Sequence, residues 1–170
     1  MNYIAAAFFA NLEDEELTFD IFMALIISKQ LMPLFQNGVP EYHLRNFILN
    51  KLIKQELPAL HQHFNKLQLN LEMLTGNWIM TLFAGYFPYK MFIPVIDNFF
   101  REGWPAIYRM SLALLKLWEK EFLQLNDIAF VAKKLYELRE DFNIKAETLF
   151  TLAYSPSIDK AFGTDGNLLV

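Results

Sequence analysis

An all-α fold, an irregular bundle of about eight helices with no internal linker, is predicted by three observations. Between Met1 and Ala153 apolar residues recur at spacings of three and four, the period of one helix face. Strict apolar–polar alternation, the mark of a half-buried strand, hardly occurs. Short polar or Pro/Gly breaks separate the periodic stretches, and Pro40, Pro58 and Pro88 stand where a residue without an N–H fits a helix start. No period of roughly 33 to 47 residues brings matching residues into register, so a helical solenoid is set aside.

The first helix occupies MNYIAAAFFANL. Glu13 to Glu16 then mark the entrance of a second, TFDIFMALIISKQLM, because carboxylates complement the positive end of the helix dipole. After the loop PLFQNGVP comes EYHLRNFILNKLIKQELP, where Leu44, Phe47, Ile48, Leu52 and Ile53 are predicted to form the buried face, with Arg45, Lys51 and Lys54 away from it. PALHQHFNKL is a shorter helix, and LNLEMLTGNWIMTLFAGYF, apolar on several sides, is predicted to be buried. Within YKMFIPVIDNFFREG, Pro94 removes one helical donor and should kink the helix or delay its start, at about 3 kcal/mol in an interior position. Gly103 is placed as the residue just past its end. WPAIYRMSLALLKLWEKEF is the most strongly periodic helix, through Ile107, Met110, Leu114, Leu117 and Trp118. Asn126 and Asp127 are predicted to cap IAFVAKKLYELRED. KAETLFTLAYS closes a domain drawn over residues 1–154, and residues 155–170, rich in Gly, Ser and Asp, read as a loose tail.

A chain of 170 residues suits one domain. Its hydrophobic fraction of 54%, with 17 Phe, offers more apolar surface than a lone small domain needs, which implies a partner surface or a missing neighbour. The net charge is -4 and the basic residues are scattered, so the basic stripe of a nucleic-acid binder is missing and no nucleic-acid partner is expected. Charge, Asn, Gln or Pro interrupts every long apolar run, so no transmembrane segment is expected. The first basic residue is Lys29, which leaves the N-terminal stretch without the basic region of a secretory signal. With no Cys, disulfides, thiolate metal sites and cysteine nucleophiles are excluded, a composition compatible with a reducing cytoplasm.

No constellation carries chemistry on its own. His61 and His63 are two residues apart and point to nearly opposite sides of a helix, whereas zinc-binding helical histidines are four apart on one face. The acidic run reads as a solvated cap. Trp78, Phe83, Phe87, Phe99, Phe100 and Trp104 lie in helix-spaced apolar surroundings without interleaved Arg or Lys, so they read as core. No GxSxG, Walker-type loop or GxGxxG occurs.

A family resemblance rests on residues in order: Leu57-Pro58, Trp78 followed by Thr81-Leu82-Phe83, the Pro88-started helix ending in Asp97, and SLALLKLWEKEF. Together they resemble the second half of the TBC domain, the family of GTPase-activating proteins for Rab GTPases. MNYIAAAFF is similar to the segment that follows the family's Tyr-x-Gln-Gly motif, and TLFTLAYS to its closing helix, so the resemblance covers nearly the whole chain. It implies the C-terminal subdomain of a TBC domain, beginning just after that motif, within a regulator of GTPases that is not itself an enzyme and that serves vesicle trafficking.

The family mechanism implied is the insertion of an Arg from an Ile-x-x-Asp-x-x-Arg motif and a Gln from Tyr-x-Gln, which stabilise charge on the transferred phosphoryl and orient the attacking water. Neither motif occurs in these 170 residues, and Arg45, Arg101, Arg109 and Arg139 stand outside that context. No catalytic residue is therefore expected in this chain, which should be inactive alone. Met1 and Asn2, next to the position implied for the glutamine, are expected to face the GTPase. Trp78, Thr81, Leu82, Phe83 and Asp97 are expected to be structural, with Asp97 buried and hydrogen-bonded. Where the family shows Arg-x-Trp-Asp, this chain has Pro94-Val95-Ile96-Asp97.

The implied partners are a Rab-type small GTPase and the missing N-terminal half of the domain. No cofactor is implied, GTP and Mg²⁺ being carried by the GTPase. The implied location is cytoplasmic, peripheral to membranes through that partner. The same residues also suit a non-catalytic helical scaffold that binds a small GTPase or another protein. If half a domain is missing, the face carrying Ile4, Phe8 and Phe9 should expose an apolar patch beyond the few hundred Å² usual for a monomer.

Overall fold

The predicted breaks end helices in the structure, a computed structural model that describes residues 1–140 and 143–162. In chain order these helices are α1 (Asn2–Leu12), α2 (Glu15–Ser28), α3 (Met32–Phe35), α4 (Pro40–Glu56), α5 (Pro58–Lys66), α6 (Leu71–Met80), α7 (Tyr89–Glu102), α8 (Trp104–Leu117), α9 (Glu119–Phe122), α10 (Ile128–Glu140), α11 (Ala146–Ala153) and α12 (Pro156–Asp159). Among the described residues no strand forms. The count exceeds the predicted eight partly because α3, α9 and α12 are four-residue turns of helix, too short for a periodic signal.

Local chemistry sets the boundaries. The Asp14 carboxylate accepts the Leu17 N–H at 2.9 Å and caps α2, and Asn70 caps α6 by accepting the Glu72 N–H at 3.0 Å. Pro40 and Pro58 open α4 and α5. Asp127 accepts the Ala129 N–H at 2.7 Å at the head of α10. Gly103, at φ 72°, lets α7 stop and α8 start within one residue. Pro94 lies inside α7, which nevertheless begins at Tyr89, so the expected delay does not occur. The carbonyl that loses its partner belongs to exposed Lys90, where water can replace the N–H.

Three expectations are corrected. The stretch read as one buried segment through Phe87 leaves the helix after Met80, and Leu82 and Phe83 take φ of 49° and 66°. On α4 the buried face is Asn46, Leu49, Leu52 and Ile53, while Leu44 and Phe47 are 48% and 59% exposed. A polar contact fixes this rotation: Thr75 of α6 donates to the buried Asn46 side-chain oxygen, and Asn46 donates to the Tyr42 carbonyl at 2.9 Å. Finally, the expected loose tail is docked as far as residue 162: Ile158, Ala161 and Phe162 are buried. Residues 163–170 lie outside the described residues.

At the centre lies α8, buried at every residue from Ala106 to Leu115. Helices α4, α6, α7, α9, α11 and α12 pack on it, while α1 and α2 form a hairpin on the far side of α7. Phe8 of α1 meets Phe92 of α7 edge-on, ring centroids 5.1 Å apart, and both rings are buried. Phe92→Ala is expected to lower unfolding free energy by about 3–5 kcal/mol in urea titrations.

Candidate functional site

Helix α1 runs antiparallel to α7: Asn11 near its end donates to the Tyr89 carbonyl at 3.3 Å, and Phe8 meets Phe92. Lys29, just past α2, donates to the Phe100 carbonyl at 2.7 Å and ties the hairpin to the other end of α7. Met1 and Asn2 are exposed at the head of α1, where the Met1 carbonyl accepts the Ile4 and Ala5 N–H groups at 3.0 and 3.2 Å. Partial burial lowers the pKa of the Met1 ammonium.

Asp97 departs from expectation: it is exposed and makes no side-chain hydrogen bond or ion pair among the described residues. Helix periodicity explains this. The buried face of α7 is Met91, Phe92, Val95, Ile96 and Phe99, and a residue two from both Val95 and Phe99 points the other way. Asp97 sits at the rim of an apolar cleft of about 280 Å³ lined by Phe8, Leu12, Ile21, Ile96 and Phe100.

The expected apolar patch is also relocated. Ile4 and Phe8 are 0% and 2% exposed, buried in the molecule's own core, whereas Tyr3, Phe9 and Phe19 are 57%, 46% and 62% exposed. Ala5, Ala6, Phe9, Thr18, Phe19 and Phe22 line an open cleft of about 430 Å³ between α1 and α2, with Glu15 at one end.

Trp78, Thr81, Leu82 and Phe83 are all buried. The Trp78 and Phe83 rings stack at 5.7 Å, Phe83 and Phe87 at 4.6 Å, and Tyr86 packs edge-on to Trp78 at 5.6 Å. The Thr81 hydroxyl donates to the Asn77 carbonyl and accepts the Gly85 N–H at 2.9 Å, which closes the turn beneath these rings. A Cβ at Gly85 would come within 3.2 Å of the Thr81 hydroxyl oxygen. This cluster extends from α6, whose main neighbours are α4 and α8, while those of α1 are α2 and α7. The structure thus does not bring the Trp78 group together with Met1 and Asn2.

A polar centre that the sequence reading missed surrounds Arg109. This side chain, 6% exposed, meets Asp159 at 2.6 Å and Glu102 at 3.4 Å, the latter an ion pair without hydrogen-bond alignment. Its guanidinium also lies 5.0 Å from the Tyr154 ring centroid and 4.1 Å from that of Phe162. The Tyr154 hydroxyl donates to Glu102 at 2.9 Å and lies 3.0 Å from the Asn98 oxygen. Burial first, then the Glu102 carboxylate, pushes the Tyr154 pKa up to about 12. The signal was a lone Arg inside the apolar run IYRMSLALL, since a buried charge requires a partner. Arg45 is likewise engaged, bonded to Glu41 and stacked 4.5 Å over Trp104. Both guanidiniums hold the fold together.

His61 lies 3.2 Å from the Asn65 amide nitrogen and His63 lies 2.8 Å from the Leu125 carbonyl, so the two rings serve different neighbours. Glu13 to Glu16 are exposed around the α2 cap.

The family model for the Rab-GTPase-TBC domain matches residues 1–123. The chain belongs to that family. It is 30% identical over 126 residues to Rab GTPase-activating protein tbc-11 of Caenorhabditis elegans, covering 74% of this chain and 13% of the relative. TBC1 domain family member 12 of Xenopus tropicalis is 32% identical over 153 residues, 88% of this chain and 21% of the relative. The Chlamydomonas flagellar RabGAP TBC domain superposes with a TM-score of 0.75 at 26% identity, over 91% of this chain and 51% of that one. This chain of the Rab-GTPase-TBC family therefore spans about half of the solved domain and a smaller share of the curated relatives.

Two outcomes follow for this family member. Asp159→Ala removes the aligned hydrogen-bond partner of the buried Arg109 guanidinium and is expected to cost about 1–3 kcal/mol, whereas Arg101→Ala, at an exposed guanidinium whose partner Glu102 keeps Tyr154 and Arg109, costs under about 1 kcal/mol; urea unfolding compares them. Unfolded Tyr154 loses its proton near pH 10 but in the fold keeps it to about 12, so its contribution is intact below 10 and is lost as pH rises through 12. Thermal melts of Tyr154→Phe should therefore decline less between pH 10 and 12 than those of the parent chain.

Proposed function

We propose that this chain is part of a GTPase-activating protein for Rab-family small GTPases, and that it contributes the body of the domain but not its catalytic groups. The single observation carrying this reading is the family match over residues 1–123. In this reading the Arg and Gln fingers lie in a part of the domain that precedes these residues, since neither finger motif occurs in the 170. The engagement of Arg109 with Glu102 and Asp159, and of Arg45 with Glu41 and Trp104, supports it, because a guanidinium held in the fold is not available to a nucleotide.

Met1 and Asn2 face the GTPase beside the glutamine, and Trp78, Thr81, Leu82 and Phe83 shape the body behind them. Asp97 reads as a rim residue of the α1–α2–α7 cleft, not as a buried anchor. GTP and Mg²⁺ come with the Rab, and the protein reaches membranes through that partner from the cytoplasm. The fingers act by stabilising charge on the phosphoryl group and orienting water, a contribution of roughly 10³–10⁵ in rate for an arginine finger.

Single-turnover GTP hydrolysis by a panel of Rab GTPases tests the proposal. The 170-residue chain alone is expected to leave the rate at its intrinsic value, and the longer protein with both finger motifs to raise it by about 10³-fold or more. Binding of the GTPase by the longer protein with no acceleration would instead make it a scaffold.

A further inference from the structure

The cleft between α1 and α2 is the largest apolar opening described above, and nothing in the chain's own described residues fills it. Two antiparallel helices 11 and 14 residues long border it, a shape that receives a third helix laid along the groove by its apolar face. Phe9 and Phe19 stand at 46% and 62% exposed, on the side away from the Phe8–Phe92 contact that fastens the hairpin to α7. Its turn end is acidic: Glu15 lines the cleft, and Glu13, Asp14, Glu16 and Asp20 are exposed beside it. None of these five carboxylates is in an ion pair among the described residues, and Lys90, over the Tyr89 ring, is the basic side chain that α7 brings to that end.

We infer that this cleft seats an amphipathic helix whose apolar face covers Phe9, Phe19 and Phe22 and whose basic end meets Glu13 to Glu16. On the function proposed above, the helix belongs to the part of the Rab-GTPase-TBC fold outside these residues. This chain matches 51% of the solved Chlamydomonas domain, and the remainder is ample for such an element.

The test uses the 170-residue chain and two synthetic, leucine-faced helical peptides that differ only in carrying two Lys or two Glu at one end. Fluorescence anisotropy is expected to show the lysine peptide binding about tenfold tighter at low salt, with the difference closing near 0.5 M salt as screening sets in. Phe19→Asp, at a position exposed enough to leave the fold intact by circular dichroism, should abolish binding. Glu15→Lys combined with Glu16→Lys should reverse the preference. Equal binding of both peptides, binding unchanged by Phe19→Asp, or self-association of the chain that excludes both peptides would overturn the inference. No GTPase enters this assay, so its failure leaves the activator reading standing, while a failed hydrolysis assay leaves this docking result untouched.

Discussion

Ten successive residues of α8, Ala106 through Leu115, are buried, so this helix has no solvent face and its neighbours must cover it on all sides. That burden explains the architecture. A helix apolar all round belongs in the middle of a fold, and α4, α6, α7, α11 and α12 are arranged around it. It also explains why α12 and the residues beyond it are docked: Arg109 projects from the buried helix, and Asp159 and Phe162 come from that last segment to meet it. A guanidinium this far from water is tolerable only when paired, so the sequence of α8 requires a C-terminal clasp.

From this centre outward the molecule becomes less finished. Burial passes from α8 through α7 to the α1–α2 hairpin, whose inner face closes on Phe92 while Phe9 and Phe19 on its outer side stay exposed. The chain therefore has a complete core and an incomplete surface. The proposed function gives that asymmetry a meaning, because the chain matches 51% of a solved TBC domain and the rest of that domain has no counterpart in these residues. The apolar surplus in the composition and the exposed hairpin describe the same fact at two levels.

Much of this was legible from periodicity and punctuation. Asp14, Pro40, Pro58 and Gly103 mark real boundaries because each acts through its own backbone or its nearest neighbours. Errors arose where a distant partner decided the outcome. Leu44 and Phe47 looked as apolar as Leu49, but the Asn46–Thr75 contact turns α4 so that they face outward. Asp97 carried a family expectation of burial, yet its angle from Val95 and Phe99 places it outside. Ser155 to Phe162 had the composition of a tail and became a clasp because Arg109 lies 50 residues earlier along the chain. As for the candidate surface, exposure of the hairpin was foreseen but its face was not: Ile4 and Phe8 repeat every four residues and pack inward, which leaves Phe9 outside.

Native-state hydrogen exchange tests the central claim, that α8 is the last element to open. The amides of Tyr108 to Leu115 should exchange only through global unfolding, with a free energy equal to that from urea titration, while those of the α1–α2 hairpin exchange through smaller openings. If α8 exchanged as readily as the hairpin, or well below the global value, the fold would not be organised around it and the account would fail.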